Sequence, residues 1–211
     1  MSETSHEPVK ASPFLLRHFV WIAIGVVLLV AVSGVLIVWM PYQREQRIAR
    51  MIQADGGGVG VRYCGPDWIP ESIVDRLPFL KRITSVYGMR PPGVSAETLL
   101  ELGSLTRLES LELMHTFVTD ASLVHLNELT YLEALWLADT PVTGTGLVHL
   151  KGLTNLRVLS LHDTPVTDAG LEHLKGLTSL YKLGLHNTQV TAEGRAMLRK
   201  ALPNCEIEPI P

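Results

Sequence analysis

The histidines carry the widest chemical repertoire in this chain, and they recur at a fixed interval. His162 and His186 stand twenty-four residues apart, and His125, His149 and His173 form a second series with the same spacing. Imidazole binds metals and titrates near neutral pH, so either series could supply metal ligands and the second could form a pH-sensitive face. Asp139 and Asp163 fall one position along from the first series and supply carboxylates of the kind a metal site uses. The opposing reading places the second series on partly exposed helical turns and has the aspartates cap their own turns. Standard catalytic spacings are missing: neither C-x-x-C, nor H-E-x-x-H, nor G-x-S-x-G occurs. Gly56, Gly57, Gly58 and Gly60 precede a strand candidate and lack the Lys-Ser/Thr pair of a phosphate loop, so they read as a turn. No catalytic residue, metal ligand or cofactor is assigned.

The interval that spaces the histidines also organises the second half of the chain. Leu105, Leu129, Leu153 and Leu177 form one column, and the next begin at Leu108, Leu111 and Leu113. Thr116, Thr140, Thr164 and Thr188 follow, then Val118, Val142, Val166 and Val190, and then Leu123, Leu147 and Leu171. The L-x-L step at Leu111 and Leu113 has the two-residue period of a strand buried on one face. Leu123 and Leu126 have the i, i+3 spacing of a helical stripe, Thr119 is a suitable N-cap, and Asp120 and Asp168 place carboxylates at the start of that helix. Each unit is thus a strand, a turn and a short helix. One such unit buries too little to order itself, so the units must stack. The threonine column is expected to form an inner ladder bonded to the turn backbone.

The L-x-x-L-x-L-x-x-T-x-V-T unit resembles the leucine-rich repeat, with Thr where the general pattern has Asn. The wording T-P-V-T-D-A-G-L at Thr164–Leu171 and the ending ALPNC at Ala201–Cys205 are similar to those of bacterial membrane-anchored leucine-rich repeat proteins. That resemblance covers about residues 83–207. It implies an α/β solenoid with parallel strands on the concave face and short helices on the convex face, set behind one N-terminal transmembrane helix.

The residues that alternate with the strand leucines are expected to face the concave side. Glu112, Met114, Trp136, Ser160, His162, Lys182 and His186 are the candidate ligand-binding residues. Trp136 leads because a large aromatic at an outward position near the centre of a small sheet has the character of a binding hot spot, or else packs over Met114.

Composition sets the remaining bounds. The chain has 211 residues, 46% hydrophobic and 18% charged, and a mean hydropathy of +0.22. These values point to a lipid-facing segment. Residues 19–40 supply it, twenty-two residues without charge that would make a helix about 33 Å long. Trp21, Trp39 and Tyr42 lie near its ends, as interfacial aromatic residues do. The rival reading is a signal peptide cleaved after Ser33. Orientation stays open, with Lys10 and Arg17 before the segment and Arg44, Arg47 and Arg50 after it. Residues 41–90 hold eight Lys/Arg against five Asp/Glu and residues 91–211 eight against fourteen, so neither region suits nucleic acid. Two cysteines, Cys64 and Cys205, sit at opposite ends of the array, too far apart to form a disulfide with each other.

The expected organisation is a tail over 1–18, a transmembrane helix over 19–40, a juxtamembrane helix and cap over 41–82, the repeats over 83–207 and a tail over 208–211. Within the cap, helices are expected over Gln43–Gln53 and Glu71–Leu77, and a strand over Val59–Tyr63. The expected function is non-enzymatic binding of a protein or peptide by a single-pass membrane protein. The alternatives are a self-assembling structural membrane protein and a metal-dependent enzyme using His162 and His186.

Overall fold

A computed structural model of the chain describes residues 13–34, 37, 39–65, 69–74, 76–89 and 94–208. The chain divides into two compact units between Pro41 and Tyr42. Most of the expected N-terminal tail, and residues 209–211, lie outside the described residues.

The first unit contains one long helix, α1 (Pro13–Gly34). Pro13 fits a first helical turn, where a missing N–H costs nothing. At the other end the Ser33 hydroxyl donates to the Leu29 carbonyl at 2.7 Å and Gly34 follows, two residues of weak helix propensity. The expected helix over 19–40 includes residues 35, 36 and 38, which lie outside the described residues. Among the described residues α1 starts earlier than expected and runs to Gly34, and a second helix, α2 (Met40–Ala54), begins at Met40. Arg17 and His18 fall within α1, so its uncharged part is 19–34, shorter than the roughly 20 residues a bilayer crossing needs. Among the described residues no helix is long and apolar enough to cross a membrane.

The second unit is a solenoid with α2 as part of its cap. Ile48, Ala49 and Ile52 are buried on one face of α2, and Arg44 and Arg47 reach Glu101 and Glu97 of α4 (Ala96–Leu102) at 3.1 and 3.2 Å. The helix ends in a left-handed turn: Gly56 has φ 82° and the Gly57 N–H bonds back to the Ile52 carbonyl at 2.9 Å. Burial raises the Glu45 carboxyl above its usual range, although the Ile83 N–H and Arg82 both pull it down.

The sheet has seven strands in chain order. β1 (Gly58–Tyr63) runs antiparallel to β2 (Lys81–Tyr87), so the sheet is not wholly parallel as expected. Between them α3 is a single turn, Glu71–Val74, shorter than the expected 71–77. From β2 onward every pairing is parallel: β3 (Ser110–Glu112), β4 (Ala134–Trp136), β5 (Val158–Ser160), β6 (Lys182–Gly184) and β7 (Glu206–Ile207). Leu111, Leu135, Leu159 and Leu183 are direct partners across the ladder and have no exposed surface.

The convex side carries the expected short helices, most of them 3-10 rather than α. It is made mainly of tight 3-10 turns, Ser122–Leu126, Gly146–Leu150 and Glu172–Leu174, with one α turn, α5 (Asp168–Leu171), before the last. A coil of twenty-four residues leaves too few positions for a longer helix, and i, i+3 leucines suit a three-residue period. The threonine ladder forms as expected, bonded to the turn backbone. The hydroxyls of Thr116, Thr140, Thr164 and Thr188 donate to the carbonyls of Leu113, Leu137, Leu161 and Leu185 at 2.6 to 2.9 Å. They satisfy turn carbonyls rather than amides.

The final coil is closed by α6 (Ala192–Ala201), capped by Thr191, whose hydroxyl accepts from the Gly194 N–H at 3.1 Å. Arg195, at a position held by leucine in earlier repeats, is 4% exposed. Its guanidinium donates to the carbonyls of Glu208 and Leu185 at 2.8 and 3.1 Å, so a cation ties off the end of the core.

Candidate functional site

The concave face is built in rows because the strands are in register. Glu112, Trp136, Ser160 and Gly184 are successive partners across β3 to β6, and Ser110, Ala134, Val158 and Lys182 form the row before them. Adjacent positions in a row are about 4.8 Å apart. The leucine columns repeat because they share one core, whereas these rows change residue type at every step.

Trp136 occupies the second position of its row and is partly buried. Among the described residues its indole N–H has no hydrogen-bond partner. Ser160, the next residue, is only 8% exposed, so its hydroxyl is largely withdrawn from the face that alternation assigned to it. Glu112 Oε2 accepts from the Gly88 N–H at 3.3 Å. Met114 lies beside a hollow of about 220 Å³ that is also lined by Gly88, Met89, Glu112 and His115.

His162, Lys182 and His186 gather at the C-terminal end of the face around Glu208. His162 Nδ1 accepts from the His186 backbone N–H at 3.1 Å, which places the proton of a neutral ring on Nε2. That nitrogen faces Glu208 Oε2 at 3.1 Å, and Lys182 Nζ lies 3.5 Å from Glu208 Oε1. Gly184 makes the arrangement possible, because a Cβ there would collide with the His162 ring.

Glu208 is the residue that sequence reasoning missed. It follows Gly184 by twenty-four residues and its N–H bonds to the Leu183 carbonyl at 3.1 Å, so it continues the row. The signal was present, but the prolines after it made residues 208–211 read as a tail.

Both nitrogens of His162 are engaged, and the aspartates meant to complete a metal site face other partners. His115 Nδ1 lies 2.9 Å from Asp139 Oδ2, and the Asn187 side-chain amide donates to Asp163 Oδ1 at 2.7 Å. Among the described residues no three His, Cys, Asp or Glu side chains converge in a way that could hold a metal ion. His115, Asp139, Asp163 and Asn187 have φ between 51° and 57°. They are therefore the left-handed hinges of their turns, a conformation that Asp, Asn and His adopt more readily than other non-glycine residues. The concave strand alternation stops one residue earlier.

Asp168 stands in the first turn of α5 as expected, Asp120 falls before its 3-10 turn, and both carboxylates also bond into the next repeat. Asp120 accepts from the Thr143 N–H at 2.7 Å and from the Thr143 and Thr145 hydroxyls, while Asp168 accepts from the Thr191 N–H and hydroxyl at 2.8 and 2.6 Å. Both carboxylates thus clamp the following repeat. Burial pushes the Asp120 carboxyl up, but these hydrogen bonds outweigh it and hold the group below its usual value of 3.8. Cys64 is exposed and Cys205 buried, both as free thiols, and burial with nearby Glu206 pushes Cys205 up to about 11.

No family model and no curated protein matches the chain. Solved structures do match it. An internalin from Listeria monocytogenes aligns at 24% identity with a TM-score of 0.50, over 60% of this chain and 34% of that one. A leucine-rich repeat protein of Leptospira interrogans aligns at 22% identity and TM-score 0.43, over 52% and 27%. The leucine-rich repeat ectodomain of the receptor kinase SOBIR1 from Arabidopsis thaliana aligns at 16% identity and TM-score 0.49, over 78% and 90%. The chain spans about a third of the internalin's length. Together with the repeat geometry, the internalin likeness defines the architecture as a leucine-rich repeat solenoid.

Proposed function

We propose that this chain is a membrane-anchored, non-enzymatic leucine-rich repeat module that captures a protein or peptide ligand on its concave sheet. The observation that carries the reading is Trp136: a large aromatic in the middle of an open sheet, its indole N–H without a partner among the described residues, flanked in its row by Glu112 and Ser160. Desolvating such a ring on a partner contributes more than any other side chain of this face could.

The anchor is the apolar stretch over 19–40. Trp21, Ile22, Val27, Leu28 and Leu29 of α1 are all more than 60% exposed, which is costly in water and favourable in lipid. Arg44 and Arg47 are engaged with Glu101 and Glu97, so they give a poor guide to orientation.

A photocrosslinking amino acid placed at position 134 on the concave face, in the full-length protein in its own membranes, tests the capture. Partner adducts are expected there, lost in Trp136→Ala, and absent when the same probe sits at position 172 on the convex side. Adducts confined to position 172, or joining copies of this chain alone, would favour the structural alternative. Retention in the membrane pellet after alkaline carbonate washing tests the anchor, and release into the supernatant would reject it.

A further inference from the structure

The hollow beside Glu112 has a definite chemical character. It is lined by Met114, by Met89, whose sulfur packs near Gly57 in the core, and by Gly88 and His115, and its polar feature is the Glu112 carboxylate. At about 220 Å³ it falls below the roughly 300–1,000 Å³ of small-molecule pockets and is of a size for one long side chain. Glu112 Oε2 takes the Gly88 N–H, and no Lys or Arg among the described residues pairs with this carboxylate or lines the hollow. His115 is turned to Asp139, so the nearest titratable neighbour brings a second carboxylate with it. On the side facing β4, Glu112 has Trp136 as its direct partner.

We propose that this hollow receives an arginine side chain presented by an extended segment of the partner peptide. Met114 suits the aliphatic stem of such a residue, the carboxylate suits its guanidinium, and a flat cation can also stack against the Trp136 ring. Arginine fits better than lysine because one planar group can meet both the carboxylate and the aromatic face. The inference rests on the concave-face reading above and names the chemistry of what binds there. Arg90, next to Met89 in the chain and outside the described residues, is the rival occupant.

Methyl-labelled methionine NMR on the full chain in lipid nanodiscs tests this directly, because two of the six methionines line the hollow. The probes are N-acetyl-arginine amide and its uncharged isostere N-acetyl-citrulline amide, with Met51 and Met197 as internal controls. Titration into the millimolar range is expected to move the Met89 and Met114 signals. The citrulline compound, or Glu112→Gln with the arginine compound, is expected to show binding weaker by about tenfold or more. Equal responses to both compounds, no response at all, or an undiminished response in Glu112→Gln would overturn the proposal. So would displacement of the two signals by Arg90→Ala with none by the added compound, which would assign the hollow to the chain's own arginine. Persistence of Trp136-dependent adducts at position 134 after such a failure would leave partner capture standing and remove only the arginine pocket.

Discussion

Two kinds of junction join the repeats, and they solve the same stacking problem in opposite ways. At the first and third junctions a carboxylate crosses to the next coil: Asp120 holds Thr143 and Thr145, and Asp168 holds Thr191. Room for each carboxylate comes from a glycine in the following repeat, since a Cβ on Gly146 would stand 2.9 Å from the Asp120 Cα and one on Gly194 would meet the Asp168 carboxylate. At the middle junction the carboxylate position is itself glycine. Gly144 faces Gly170 so closely that a Cβ on Gly144 would lie 2.7 Å from the Gly170 Cα. Beside that contact lies a hollow of about 280 Å³ lined by Thr143, Thr145, Thr167 and His173, among others. One twenty-four-residue unit therefore stacks either through a charged clamp or through bare backbone.

The contrast can be broken most forcefully at the glycines. Gly170→Ala sets a new methyl against the Gly144 backbone and Leu147, and urea unfolding should show a loss of about 3 kcal/mol. A change below about 0.5 kcal/mol would mean the middle junction has slack and is not a close backbone contact. Asp120→Ala removes several charge-assisted hydrogen bonds at once, with an expected loss of about 2 kcal/mol at neutral pH.

That second effect has a defined pH dependence. The folded Asp120 carboxyl titrates below its unfolded value of 3.8, so its contribution is complete above that value and disappears as pH falls through the lower folded one. The gap between wild type and Asp120→Asn should therefore close on acidification, and acid titration monitored by circular dichroism checks it. A gap that widened at low pH would reverse the assigned sign.

A smaller effect belongs to the threonine ladder, which is common to every repeat. Thr164→Val leaves the Leu161 carbonyl without its 2.7 Å donor, for a loss of about 1 to 2 kcal/mol. Thiol labelling should be all or none: Cys64 reacts with maleimide in the folded protein and Cys205 only after denaturation.

These regions also show what a single sequence makes legible. The leucine, valine and threonine columns could be read because every repeat solves the same packing and carbonyl-bonding problem with the same residue. The Asp120 clamp was read as a helix-terminal charge because its partners, Thr143 and Thr145, belong to the next repeat, and only the stacked structure brings them together. His115, Asp139, Asp163 and Asn187 share no charge or size, yet they form one column because they share a backbone conformation. Glu208 was lost because the prolines after it made the row appear to end, and its partners Lys182 and His162, one and two coils away, meet it only in the stacked sheet.

The central claim is that Trp136 and the rows around it form a surface a partner occupies. It is tested most directly by measuring adduct yield from position 134 and unfolding free energy on the same Trp136→Ala protein. The account predicts that the adduct disappears while stability falls by only about 1 to 2 kcal/mol, as expected for a half-buried ring. An undiminished adduct together with a loss of 3 kcal/mol or more, about that of a core aromatic, would show that Trp136 serves the fold and not a ligand.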